Sequence, residues 1–257
     1  MPRTSEPGRS LASRLLEVLF TFCPGHSRLK VADLTRMTGL PHATVRRLVL
    51  ELVDAGALDR ASDGTVTIGI RLWQLGTLAP LSGPLRTAAQ PFMEDLHTAL
   101  REHVQLAVRE GHEAVVVERL SGTRAVDVIS RVGGHLPLHS SGVGKILLAH
   151  CGDDVVEEVI SAGLSQLTPR TITHPDRLRE TLIECRRTGV ATVREETSPL
   201  ADSVATRIMN TEGEVIAALS VVVRTGAIDL RSVTPSVIAA GLGISRRLGW
   251  APHVGVR

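Results

Sequence analysis

The sequence predicts an α+β chain in two parts: a helical head that ends in a β-hairpin, then a larger body in which an antiparallel sheet is flanked by helices. Three observations predict it. Apolar residues recur at helical spacing through residues 10–55 and then alternate at Val66, Ile68 and Ile70. Pro80, Gly83 and Pro84 interrupt the chain directly afterwards. Beyond them, helical and alternating segments interleave, with hairpin turns at Glu110-Gly111 and at Thr211-Glu212-Gly213-Glu214.

In the head, a first helix is expected over about Ser10–Cys23, with Leu11, Leu15, Val18, Leu19 and Phe22 on one face and Pro24-Gly25 ending it. A second, about Val31–Thr38, buries Val31, Leu34 and Met37. After the tight turn at Gly39 and Pro41 a third helix, about His42–Ala55, carries an apolar stripe of Val45, Leu48, Val49 and Leu52 and stops at Gly56. Asp63-Gly64, between Ala57–Arg60 and the alternating strand, is a hairpin signal. Three helices followed by a hairpin make a winged helix-turn-helix. A connecting helix, about Arg71–Ala79, places Leu72, Leu75 and Leu78 on one side.

In the body, a helix over about Leu85–Arg101 buries Leu85, Ala89, Phe92, Leu96 and Leu100. Strands follow at Val104–Val108, Val115–Val117 and Val126–Ile129. A glycine-rich loop, Gly133–Gly144, then leads into an apolar helix that starts near Lys145. Helices at Asp153–Ala162 and Asp176–Thr188, strands at Val190–Arg194, Val204–Met209 and Val215–Val223, and a helix at Pro235–Leu248 complete the chain.

Composition bounds the function. With 257 residues, 43% of them hydrophobic, the chain can bury two cores. No apolar run reaches the ~18 residues of a membrane span, and MPRTSEPGRS lacks the apolar core of a signal peptide, so a cytoplasmic location is expected. Cys23, Cys151 and Cys185 are far apart and form no CxxC pair, which reads as small buried hydrophobes and not a disulfide framework or zinc ribbon. The histidines His97, His103, His112, His135, His139 and His150 offer no helical ligand pair with a Glu base, so no metal and no cofactor is expected. His139, beside Ser140-Ser141, is the one read as a pocket or loop-fixing residue. The net charge of +2 is small, but residues 1–75 hold ten Lys/Arg against seven Asp/Glu, so the basic excess sits on the head.

The third helix buries its back and leaves His42, Thr44, Arg46 and Arg47 at its front. The N-terminal end of such a helix reaches base edges in the major groove, and Arg binds guanine bidentately. Arg28 and Lys30, before the second helix, are candidate phosphate contacts. In the loop Leu136–Gly144 the glycines and paired serines expose backbone N–H groups at a helix N-terminus, a setting that favours an anion such as a carboxylate. It is no P-loop, because Ile146 follows Gly144-Lys145. Glu195 and Glu196 are adjacent and point apart, so they read as structural carboxylates and not as an acid/base pair.

The pieces GLPHATVRRLVLELVDAG, VTIGIRLWQLG, LPLHSSGVGKILLAH, TGVATVREE, SVATRI and GEVIAALSV, in this order, resemble the IclR family of bacterial transcriptional regulators over nearly the whole chain. The resemblance implies a winged helix-turn-helix (residues 9–70), a linker helix and boundary (71–84) and a GAF-like effector-binding domain (85–257). It implies a homodimer or dimer of dimers on pseudo-palindromic double-stranded operator DNA, with a repressor's role controlled by a small organic acid. Leu136, Ser140, Ser141, Gly142 and Val143 would form one pocket wall, and Ser203, Ser220 and Val222 would project from the last strands. The family often has a hydroxyl where Val222 stands, so a less polar pocket is expected, suited to an aromatic or longer carboxylate rather than a small oxo acid. Two other readings compete with this one. A ligand-independent DNA-binding protein leaves the large second domain without a role. An enzyme on a GAF-like sheet lacks a nucleophile, base and orienting group together.

Overall fold

Caps and breakers set the head's helices. The Ser10 hydroxyl accepts from Ser13 N at 3.0 Å and starts α1 (Leu11–Phe20). The Asp33 carboxylate accepts from Lys30 N at 3.1 Å at the start of α2 (Val31–Thr38), and Gly39, at φ 67°, ends it. This is a computed structural model, describing residues 10–23, 25–79, 83–122, 126 and 128–251, and it divides into two units, Met1–Ala79 and Pro80–Arg257.

In the first unit α3 (His42–Asp54) buries Val45, Leu48, Val49 and Leu52 against Val18 and Leu34. The wing strands β1 (Leu58–Arg60) and β2 (Val66–Ile68) pair antiparallel, and Leu29 bridges to Val66 on the other side. Two details differ from the sequence reading. Met37 is 42% exposed instead of buried, and Leu11, on the apolar face of α1, is 50% exposed. Ile70 opens α4 (Ile70–Thr77) instead of closing the wing strand. None of α4 is buried: Leu72 is half-buried, while Trp73 and Leu75, and Leu78 at its C-cap, are exposed. Of the cysteines only Cys185 is buried, which pushes its thiol up to about 11; Cys151 is half-buried and Cys23 exposed, against the expectation for both.

The second unit begins with α5 (Pro84–Leu100) and the hairpin β3 (His103–Glu110) and β4 (Glu113–Leu120). Next come β5 (His135–Pro137), α6 (Gly142–Ala149), α7 (Asp153–Ser161) and α8 (Pro175–Thr188). The last elements are β6 (Val190–Arg194), β7 (Ala201–Met209), β8 (Val215–Arg224) and α9 (Leu230–Arg247). Among the described residues the strands form one antiparallel sheet in the order β5-β4-β3-β8-β7-β6. On one face Val104, Leu106, Val204, Leu219 and Val221 pack on Leu85, Met93 and Leu96 of α5 and on Val237 and Ile244 of α9. The other face is paved with Ala107, Ala114, Ala191, Ala205 and Ala218, whose small side chains admit the wholly buried α6.

Where sequence and structure part, local chemistry explains it. The segment expected as a strand at Val126–Ile129 forms none over its described residues; its place beside β4 is taken by β5, which the sequence pattern puts in a loop. The helix expected near Lys145 starts at Gly142, because the Ser141 hydroxyl caps it by accepting from Gly144 N at 3.1 Å. The last helix starts before Pro235, since Asp229 caps it by accepting from Arg231 N at 3.0 Å. β7 begins at Ala201, three residues early, paired through Asp202 with Arg194. Phe92 and Leu100 pack on the core half-buried. Pro24, Pro80 and Asp127, named above as breakers or strand residues, lie outside the described residues.

Candidate functional site

The α3 helix is amphipathic by its 3.6-residue period: with Val45, Leu48, Val49 and Leu52 inward, His42, Ala43, Arg46, Arg47 and Leu50 are left exposed and Thr44 half-buried. The His42 ring Nδ1 and the Thr35 hydroxyl lie 3.2 Å apart, which ties the N-terminal end of α3 to α2. Arg47 Nε lies 3.8 Å from Glu51 Oε1, one turn on, in a largely exposed pair of little energetic consequence. Arg28 is directed to the wing: it donates to Thr65 Oγ1 at 3.2 Å and lies 3.7 Å from Asp63 Oδ2. Bonds from the Thr65 hydroxyl and N–H, at 2.6 and 2.9 Å, hold the Asp63 carboxyl below its usual range, with Arg28 a smaller cause. Lys30 sits at the N-cap of α2, exposed.

In the second unit a cavity opens beside the N-terminus of α6, with about 360 Å³ of space, part of it open to solvent. Ser141 and Gly142 reach it from the helix, and Gln105, Val193, Ser203 and Val222 line it from the sheet. Val128, Ile129 and Ser130 form another wall, and Thr197, Ser198 and Ala201 a third, with Leu136 also reaching it. Five of the residues proposed from sequence therefore meet here: Leu136, Ser141, Gly142, Ser203 and Val222. Ser140, Val143 and Ser220 are buried and do not line the cavity. Ser140 O accepts from Thr197 Oγ1 at 2.9 Å, and Val143 belongs to the core under α6. His139 lies outside the lining too; buried, with Nε2 3.0 Å from Ser165 O, it fixes a loop, and burial lowers its pKa.

Close backbone approach builds this corner. A Cβ on Gly142 would meet Ser203 Oγ at 2.8 Å, so the helix N-terminus rests on β7. A Cβ on Gly144 would lie 2.6 Å from Leu138 Cα and 2.6 Å from Pro137 O, both backbone atoms that cannot swing aside. Gly144→Ala is expected to lower the stability of the second unit by ~1–3 kcal/mol, measured as a drop in thermal midpoint. An unchanged midpoint would show that the loop yields freely.

Sequence reasoning missed the group that holds the third wall. Lys145, fully buried on α6, donates to Glu196 Oε1 at 2.5 Å, and Glu196 is 7% exposed. The remaining Glu196 oxygen accepts from Ile172 N at 3.4 Å, and its carbonyl from Thr171 Oγ1 at 2.7 Å. Glu195, at φ 54°, turns away to Arg170 Nε at 3.0 Å and to Leu200 N at 3.0 Å. The adjacent carboxylates point apart, each with its own partner. A lone lysine in the apolar run GVGKILLA was the available signal, because a buried ammonium must find an opposite charge. The second wall is pinned by side chains: the Arg119 guanidinium donates to Ser130 O, and His103 Nε2 lies 2.7 Å from Val126 O.

A winged helix-turn-helix with an exposed third-helix face, followed by a separate unit with a cavity at a helix N-terminus, defines a DNA-binding transcriptional regulator. The family models agree: the IclR helix-turn-helix domain matches residues 11–62, and the bacterial transcriptional regulator IclR C-terminal domain residues 81–246. The chain belongs to the IclR family. It is 29% identical to the HTH-type transcriptional regulator XynR of Escherichia coli, over 92% of this chain and 96% of that protein. To the Pca regulon regulatory protein of Pseudomonas putida it is 30% identical, over 92% and 81%. A solved structure of an IclR homologue from Microbacterium hydrocarbonoxydans, complexed with 4-hydroxybenzoate, is 38% identical with TM-score 0.89, covering 93% of this chain and 99% of that one. Among the described residues no helix is long and apolar enough to cross a membrane, and no His/Cys/Asp/Glu group could hold a metal ion.

Proposed function

We propose that this regulator binds a pseudo-palindromic operator through α3 and the wing, acts as a repressor, and is controlled by an aromatic carboxylic acid held beside α6. The cavity carries the reading: it joins a helix N-terminus, which favours a carboxylate, to the apolar surfaces of Leu136, Val128, Val193 and Val222. The homologue bound to 4-hydroxybenzoate, over 93% of this chain, supports the same ligand class. Arg46 and Arg47 would grip bases or phosphates, with His42 and Thr44 at the entering end of the helix and Arg28 and Lys30 on the backbone beside it. In the cavity, Ser141, Gly142 and Ser203 would meet the carboxylate, and Val222 and Leu136 the ring. Ser140, Val143 and Ser220 would act from behind, by shaping the lining.

Control requires that the acid bind one arrangement of the two units or of the assembly better than another; equal affinity shifts nothing. Self-association into a homodimer or dimer of dimers belongs to this reading. Apolar surface left exposed at Ile70, Trp73 and Leu75 of α4 and at its C-cap Leu78 supports it. A cytoplasmic location, at the DNA, follows from the same role.

The test combines calorimetry with an operator mobility shift. The expected result is binding of 4-hydroxybenzoate with a several-fold change in operator affinity, and little binding of glyoxylate or pyruvate. Tight binding of the small oxo acids with none of the aromatic acid overturns the ligand assignment.

A further inference from the structure

We infer that the effector carries a hydroxyl on the end of the ring away from its carboxylate, and that Gln105 and Ser130 select it. This rests on the aromatic-acid reading and adds a second polar end to the ligand.

Buried polar atoms without partners point there. Gln105 is 4% exposed and its Oε1 has no hydrogen-bond partner; Ser130 is 5% exposed and its Oγ has none. Both residues line the cavity. A buried oxygen left unmatched is costly, and native structures rarely keep such atoms together without something to satisfy them. The Ser220 hydroxyl, opposite Gln105 in the β3–β8 register, is fully buried and equally unmatched.

Strand order separates this cluster from the carboxylate end. The N-terminus of α6 rests on Ser203 of β7, whereas Gln105 lies on β3, with β8 between. At ~4.8 Å per strand the two ends stand about 10 Å apart. Val222, on the intervening β8, pairs in register with Ser203 on one side and His103 on the other. Among the lining residues of the floor, apolar Val222 therefore stands between polar Ser203 and polar Gln105, which matches a flat ring with a carboxylate at one end and a hydroxyl at the other.

The polarity of the groups decides which end takes which. A carboxylate only accepts hydrogen bonds, so it suits the backbone N–H groups at α6, whereas the Gln105 amide and the Ser130 hydroxyl each hold an acceptor as well as a donor, and a carboxylate would leave both acceptors unmatched. A phenolic hydroxyl donates to Gln105 Oε1 and accepts from the Ser130 hydroxyl, which serves both unmatched atoms. Ser130 is held for this by the Arg119 guanidinium on its carbonyl. Arg119 also brings its Nη2 within 3.1 Å of the His103 ring, so the two side chains brace the same wall.

Calorimetry with 4-hydroxybenzoate and benzoate on the full-length protein, Gln105→Leu and Ser130→Ala tests this. The wild type is expected to bind 4-hydroxybenzoate about tenfold to hundredfold more tightly than benzoate. Gln105→Leu is expected to erase most of that ratio while benzoate affinity is kept or improved, and Ser130→Ala to reduce it. The ligand-free melting temperature of Gln105→Leu should stay level or rise, because an unmatched buried oxygen is removed. A fall in that midpoint with the ratio intact assigns Gln105 a purely structural role and overturns the inference. Equal affinity of the wild type for both acids also overturns it, leaving the aromatic-acid reading standing. Binding of neither acid, with a non-aromatic acid bound instead, overturns that reading and the hydroxyl subsite with it.

Discussion

Replacing Lys145 with Met is expected to destabilise the second unit by ~3–5 kcal/mol, because Glu196 would then be a buried carboxylate with its cation gone. For a unit of this size that is a fall of roughly 6–20 °C in thermal midpoint. The double variant Lys145→Met/Glu196→Leu is expected to recover most of the loss, since two apolar groups of similar volume cost little where a matched pair stood. The contrast between single and double variants separates an ion pair from mere packing: if the losses simply add, the two residues do not act as a pair. The loop from Glu195 to Leu200 depends on this ion pair, because it leaves the sheet at φ 54° and returns at φ 59°, both unfavourable for side chains other than Gly and Asn. The single variant should therefore also weaken binding of the acid, as the segment carrying Thr197 and Ser198 loses one of its anchors and keeps the Thr197–Ser140 bond.

The second large effect falls on DNA. Arg46→Ala/Arg47→Ala is expected to lower operator affinity by ~2–6 kcal/mol, ~1–3 for each arginine that grips a base. Each arginine that instead neutralises a phosphate should flatten the dependence of affinity on salt, since about one fewer counterion is then released on binding. Stability should hardly change: both side chains are exposed, and the Arg47–Glu51 pair is of the kind worth ~0.3–0.5 kcal/mol. Mobility shifts at two or three salt concentrations, with a melting curve as control, measure both. Undiminished affinity with an unchanged salt slope would remove α3 from the DNA-reading role.

The head was legible because its information is local. Apolar spacing set the inner face of α3 and the Asp63-Gly64 turn set the wing, both within a few residues of their cause. The error at Met37 arose where a residue at helical spacing is left 42% exposed. In the second unit the alternating Val126–Ile129 looked like a strand, but its described residues join no ladder: the His103 ring holds Val126 O, and Arg119 holds the carbonyl of Ser130 just beyond. The three residues of β5, one of them Pro137, were too few to register as a strand. The cavity was half legible: the glycines and serines at α6 announce a helix N-terminus, and Val222 announces an apolar floor. Gln105 and Ser130 carried no pattern of their own, and the Lys145–Glu196 pair joins residues 51 positions apart, beyond any local period.

The two walls of the cavity, at Val128–Ser130 and Thr197–Ser198, lie outside the strand ladder and are moored by side-chain bonds, one to Arg119 of β4 and the other, through Glu196, to Lys145 of α6. Such an arrangement separates what a lineage must conserve from what it can explore. Substitutions in either wall change the shape offered to a ligand while leaving every rung of the sheet intact. Descendants of one ancestral gene can thereby acquire new chemical cues on an inherited frame, provided the moorings at Lys145 and Arg119 are passed on with it.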